Sequence, residues 1–221
     1  MNLALFDLDN TLLAGDSDVE WPRFLIAQGA LDADHYNREN DRFYADYKAG
    51  TLDIYAFLDF QLAPLAANSR EQLDAWHRQY LDSHIRPIIT AKGRALVQQH
   101  QANGDCVVII TATNRFITGP IAAELGVEHL IATEAEVSAD GRYTGKPLGT
   151  PCFQEGKITR LNAWLAERGQ TLGDFPRSWF YSDSRNDIPL LEQVSDPVAV
   201  DPDDALRSHA QASGWPVMSL R

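Results

Sequence analysis

The sequence predicts an α/β protein: a doubly wound, Rossmann-like parallel sheet with a helical insert after its first strand. Three observations predict it. Short apolar runs, NLALFDL, DCVVIIT, HLIATEAEV, SWFYSD and PVAV, read as strands. After Pro87 these runs alternate with amphipathic helical stretches, the pattern that lays helices on both faces of a parallel sheet. Between Asp18 and Ser83 the apolar spacing is helical instead.

The first run ends at Asp7, and the insert follows. Trp21, Phe24 and Leu25, with a stop at Gln28-Gly29, predict a short helix. Tyr36, Phe43 and Tyr47 carry a second, closed by Gly50; Ile54, Phe57, Leu58 and Leu62 carry a third, expected to end near Pro64. SREQLDAWHRQYL opens on Ser69 with Gln72 in capping-box position. Beyond Pro87, helix TAKGRALVQQHQANG leads into DCVVIIT, and a helix from Arg115 to Leu125 leads into HLIATEAEV. Asp-Gly in ADGRYTG signals a hairpin turn. Gly145 and Gly149 bracket KPL in what reads as a mobile connector. Helix EGKITRLNAWLAERG precedes SWFYSD, and a short helix leads to PVAV. The expected division is a catalytic core of residues 1–13 and 87–221 and a helical cap of residues 14–86.

At 221 residues the chain can bury a sizeable core. Its formal charge of −12 and lack of a basic cluster argue against nucleic acid and favour a small or metal-bound substrate. No apolar run approaches the roughly 20 residues of a membrane helix. The acidic start MNLALFDLD lacks a signal peptide's basic region, so a cytoplasmic location is expected, as monomer or homodimer. Cys106 and Cys152 lack metal-like spacing, and the histidines form no HxH or HExxH pattern, which argues against zinc catalysis. Ser182 and Ser184 lie in no nucleophile elbow.

In a sheet of this kind ligands bind at the carboxyl ends of the strands, where Asp7, Thr111 and Asp183 fall. Singly, each has a structural explanation: Asp7 could cap a turn, Thr111 a helix, and Asp183 could begin an Asx-turn. Together, DLDNT, IIT, Lys157 in EGKIT and YSDSRNDIPLL stand in chain order on one predicted sheet. In that order they resemble the four motifs of the haloacid dehalogenase-like (HAD) superfamily, in its phosphoserine phosphatase-like branch (subfamily IB) with a helical type 1 cap.

The resemblance implies a Mg²⁺-dependent phosphomonoesterase. Asp7 would attack phosphorus and form an aspartyl-phosphate, and Asp9 would act as general acid and then base. Asp7, Asp183 and the Asp9 carbonyl would hold the metal, with Asp187 supporting its water shell. Thr111, Ala112 and Lys157 would hold phosphoryl oxygens, and Asn186 would orient that network. In an extended stretch Asp7 and Asp9 share a face while Leu8 points to the core. The second aspartate separates phosphatases and mutases from superfamily dehalogenases, which have no alcohol leaving group to protonate.

The cap departs from the resemblance. Phosphoserine phosphatases carry a glutamate nine residues after the nucleophile, where this chain has Asp16. The arginine that would pair with a substrate carboxylate aligns with Asp59, although Arg23, Arg38, Arg42 and Arg70 also lie in the cap. Asp16, Asp18, Glu20 and Asp59 therefore point to an amine without a carboxylate, an amino-alcohol phosphate such as histidinol phosphate. The same acids could simply be residues that stabilise a helix start. Trp21, Tyr44, Tyr47 and Phe57 could line an aromatic pocket or form cap core. Phosphoserine hydrolysis, phosphotransfer and a non-catalytic phosphometabolite-binding module are the competing expectations.

Overall fold

The structure is a computed structural model and describes residues 1–221. β1 (Leu3–Phe6) is the middle strand of seven, and all four of its side chains are buried. Leu3 and Leu5 face one core layer while Ala4 and Phe6 face the other, as period-two alternation requires. β1 pairs in parallel with β2 (Cys106–Asn114) and with β5 (Ser178–Ser182). The sheet order is β4-β3-β2-β1-β5-β6-β7, with β3 (His129–Val137), β4 (Tyr143–Leu148), β6 (Asp196–Val200) and β7 (Val217–Met218). The chain steps outward from β1 through β2 and β3, then returns to β1's other edge as β5. That reversal opens a crevice at the carboxyl end of β1.

Four helices separate β1 from β2's own helix: α1 (Ser17–Ala27), α2 (Ala33–Ala49), α3 (Ile54–Ala67) and α4 (Arg70–Tyr80). The first three begin on aspartate caps, Asp16, Asp32 and Asp53, and the fourth on Ser69. Where the insert leaves and rejoins, two backbone segments run side by side: Ala14 N donates to the Ile88 carbonyl at 2.7 Å and Thr90 N to Leu12 at 3.2 Å. α5 (Ala91–Ala102) and α6 (Arg115–Glu124) share the core layer that also contains Trp21, Phe24, Leu62 and Tyr80 of the insert. α7 (Glu155–Ala166), α8 (Ile188–Leu191) and α9 (Asp204–Ser213) cover the opposite face. No helix is long and apolar enough to cross a membrane.

Several elements differ from expectation. α3 runs through Pro64 to Ala67, because Leu58, Leu62, Pro64 and Leu65 are buried and their packing outweighs the lost hydrogen bond. Gly145 and the KPL segment belong to β4, an antiparallel edge strand against β3, and Pro147 is tolerated at that edge. A Cβ on Gly145 would lie 3.1 Å from Ala66, so α3 seats closely over the strand. β2 continues past Thr111 to Asn114, and the two-residue β7 was not anticipated. Only half of the capping box at Ser69 forms, with its hydroxyl accepting from Gln72 N. Both cysteines are free; Cys106 is half-buried and Cys152 buried.

Candidate active site

Asp7 extends β1 by one bond, its N–H donating to the Tyr181 carbonyl at 2.9 Å. The chain then turns. Asp9 stays extended (φ −70°, ψ 133°), Asn10 takes the left-handed conformation (φ 56°), and Leu13 N returns to the Leu8 carbonyl at 3.0 Å. Leu8 and Leu12 are buried, and the carboxylates of Asp7 and Asp9 both line one cleft.

Lys157 reaches them from α7. The loop before this helix bends sharply, with Gln154 at φ 50°, and it closes so tightly that a Cβ on Gly156 would lie 2.0 Å from the Pro151 carbonyl oxygen. Lys157 is 3% exposed, and its Nζ donates to Asp7 Oδ1 and to Asp187 Oδ2, each at 2.7 Å. Ser182 Oγ donates to the same Asp187 oxygen at 2.6 Å. Burial opposes the lysine's charge, but the carboxylates of Asp187 and Asp7 together overcome it and raise its pKa. Burial also pushes Asp7 up to about 7, against the pull of Lys157 and with the help of Asp187.

Asp9 is held at both oxygens. Ser17 N donates to Oδ1 at 2.6 Å and Thr113 Oγ1 donates to Oδ2 at 2.8 Å. Burial nevertheless raises its pKa, as it does for Asp16, pushed up to about 7, and, more strongly, for Asp18 and Asp183. Thr11 Oγ1 spans Asp183 Oδ1 (3.1 Å) and Asp7 Oδ2 (3.5 Å), so those carboxylates lie together. Lys157 answers Asp7 and Asp187, while Asp183 beside them has no cationic partner. The surplus negative charge fits a divalent cation. Mg²⁺ suits such a set, because it takes one or two carboxylates and keeps several waters.

The cleft is walled on one side by the insert. Five aspartates, Asp7, Asp9, Asp16, Asp18 and Asp187, and one lysine line it, with no arginine and no histidine. Thr111 and Ala112 line it from β2, and Asn186 from the loop after β5, where its Oδ1 accepts from Gln154 Nε2 at 2.9 Å. Tyr44, Tyr47 and Phe57 face the cleft, and the Tyr47 hydroxyl sits 2.7 Å from Ser184 Oγ, tying α2 to the loop after β5. Trp21 does not face it: the ring is 1% exposed and packs edge-on against Tyr80 and Phe116.

Two expected cap residues lie elsewhere. Glu20 pairs with Arg23 at 2.6 Å on the outside of α1, and exposed Asp59 pairs with Lys146 of β4 at 2.8 Å; neither lines the cleft. An N-terminal turn of a helix presents its residues in different directions, so neighbours in sequence such as Asp18 and Glu20 part company. None of the cap arginines lines the cleft. Thr113, Gln61 and Phe153 do line it, without having been anticipated. For Thr113 a signal existed: it stands two residues after Thr111 in a strand, hence on the same face.

The chain is 51% identical over 220 residues to a histidinol-phosphatase of Neisseria meningitidis serogroup C, covering 100% of this chain and 99% of the relative. A solved structure of a protein of unknown function from Bordetella pertussis Tohama I is 50% identical, with a TM-score of 0.94 over 99% of this chain and 98% of that one. A substrate-bound phosphoserine phosphatase, 18% identical, shares the fold at a TM-score of 0.69 over 100% and 93% of the two chains. The family model for haloacid dehalogenase-like hydrolases matches residues 4–192, from the second residue of β1 to just past α8, and the chain belongs to that family.

Proposed function

We propose that this phosphoric monoester hydrolase uses Mg²⁺ and an aspartyl-phosphate intermediate, and that its substrate is a small amino-alcohol phosphate, with histidinol phosphate as the leading candidate. The observation that carries the substrate class is the cleft's lining: acidic, partly aromatic and free of arginine. Beyond Lys157, which Asp7 and Asp187 already engage, a substrate carboxylate would meet only like charge there, whereas an ammonium group would be attracted. The substrate named for the 51% identical Neisseria relative supports the same choice. In this reading residues 14–86 are the cap that selects the substrate and the remainder is the catalytic core.

Asp7, Asp183 and the Asp9 carbonyl would hold the metal, with Asp187 ordering its surroundings. When bound, Mg²⁺ neutralises phosphate oxygens and the surplus carboxylate charge. The chain's own residues do the rest. A carboxylate oxygen of Asp7 forms a bond to phosphorus as the ester P–O bond breaks. Asp9, whose carboxyl burial holds above the ordinary carboxylate range, gives its proton to the departing alkoxide. Water then attacks phosphorus, Asp9 takes its proton, and the Asp7–phosphorus bond breaks to release inorganic phosphate. Ser17 N and Thr113 Oγ1 fix the Asp9 carboxyl through both steps. Lys157 restrains Asp7 and offers its remaining charge to the phosphoryl group, beside Thr111 and the Ala112 backbone.

The test is phosphate release from histidinol phosphate, phosphoserine, sugar phosphates and nucleotides, with Mg²⁺ and after EDTA. Histidinol phosphate should lead the panel, and EDTA should stop turnover until Mg²⁺ is restored. A preference for phosphoserine would refute the substrate class, and undiminished rates in EDTA would refute the metal.

A further inference from the structure

We infer that Asp18 is the residue that recognises the substrate's ammonium group; this inference rests on the amino-alcohol phosphate reading above. Asp16, Asp18, Glu20 and Asp59 have quite different surroundings. Asp16 Oδ1 is occupied in capping α1, accepting from Asp18 N at 2.9 Å and Val19 N at 3.1 Å. Glu20 and Asp59 are spent on ion pairs outside the cleft. Asp18 lines the cleft at only 7% exposure, and of the four it alone has a buried carboxylate oxygen, Oδ1, without a hydrogen-bond partner.

A buried carboxylate with an unpartnered oxygen costs stability, and such groups are rare enough in folded proteins to call for a reason. The backbone that carries it is fixed to its surroundings. Gln61, itself 3% exposed, donates from Nε2 to the Asp18 carbonyl at 3.2 Å, which ties α1 to α3. The Tyr80 hydroxyl donates to the neighbouring Ser17 carbonyl at 2.7 Å. The position also matches the chemistry. Ser17 N–H holds the Asp9 carboxyl at 2.6 Å, and Asp9 protonates the leaving oxygen, so Asp18 stands on the side from which the alcohol departs. An amine borne on the carbon beside the ester carbon lies within reach of that side. The cleft's one lysine is already shared by Asp7 and Asp187, so the cation that pairs with Asp18 must come with the substrate.

The experiment compares kcat/KM for histidinol phosphate with that for the same imidazolylpropyl phosphate lacking the amine, in the wild-type protein, Asp18→Asn and Glu20→Gln, all with Mg²⁺. The wild type should prefer the aminated ester by about 100-fold or more, the scale of a desolvated charge pair. Asp18→Asn should reduce that preference to below about 10-fold, with the loss carried by KM for the aminated ester. Its unliganded melting temperature should match the wild type's, because the amide keeps the side chain's shape and Oδ1 has no hydrogen bond to lose. Glu20→Gln should keep the full preference. If Asp18→Asn keeps it too, Asp18 is not the amine's partner, although the substrate reading stands. If the wild type shows no preference, the substrate reading itself fails. Should Asp18→Asn not fold, Asp18→Ser is judged on the same ratio.

Discussion

Asp7 carries two opposed demands. It must be an anion to attack phosphorus, yet it is 7% exposed and shares its surroundings with Asp9, Asp183 and Asp187. Only Lys157 touches it with positive charge. Asp7→Asn keeps the shape of the side chain and removes one surplus charge, while Lys157 retains Asp187. Turnover should fall by more than about 10³-fold and no acid-stable phosphoenzyme should form, yet the metal-free protein should melt no lower than the wild type. Substantial residual turnover would remove Asp7 from the nucleophile's role. At this scale Asp7, Thr111 and Asp183 were legible as strand ends, and Asp9, Lys157 and Asp187 only through the resemblance of their motifs. The acidic cap residues were legible only as a group. Whether Asp16 caps a helix, Glu20 pairs with Arg23 or Asp18 stays unpartnered depends on neighbours that sequence spacing does not name.

Lys157 owes its place to the start of α7. The helix begins directly after a bend at Gln154, and Gly156 backs onto the Pro151 carbonyl with no room for a methyl group. In Gly156→Ala the added Cβ would sit 2.0 Å from that oxygen, so the loop or the helix start must shift. The substitution normally favours a helix by up to about 1 kcal/mol. Here it should lower the melting temperature and reduce kcat, because the displaced lysine no longer bridges Asp7 and Asp187. A circular-dichroism melt together with steady-state rates checks this; an unchanged melting point with full activity would refute the packing argument. Sequence periodicity located α7 and most strands because buried runs are long and bounded by polar residues. It missed β4 because that strand's outer positions are exposed and it contains Gly145 and Pro147, residues that usually mark loops. What makes the segment a strand is remote: β3 on one side and α3 across it.

On the scale of the whole molecule, insert and sheet are held together by one aromatic cluster. His77 of α4, 4% exposed, sits among Trp21 of α1, Tyr80 of α4 and Phe116 of α6, and its Nε2 lies 2.9 Å from the Ile117 carbonyl. Burial lowers its pKa below the ordinary 6.5, although the Ile117 carbonyl and Asp74 pull the other way. A histidine of this kind is neutral in the folded protein over a range where the unfolded chain is already protonated. The unfolded state then binds more protons, so stability rises with pH there and is lost as pH falls from about 6.5 through the lowered folded value. Above 6.5 the group is neutral in both states and contributes no pH dependence. For one proton the slope can reach about 1.4 kcal/mol per pH unit. His77→Gln keeps a donor for Ile117 and removes the titration. It should lower stability through lost packing above about pH 6.5, while flattening the decline below it, so that the gap between the two proteins narrows as the pH falls. Urea denaturation of both proteins across that range measures the difference in slope. Parallel curves would mean that the cap–core junction does not sense protons through His77. A flattened curve would identify this buried contact, remote from the carboxylates of the cleft, as a source of acid sensitivity in the fold.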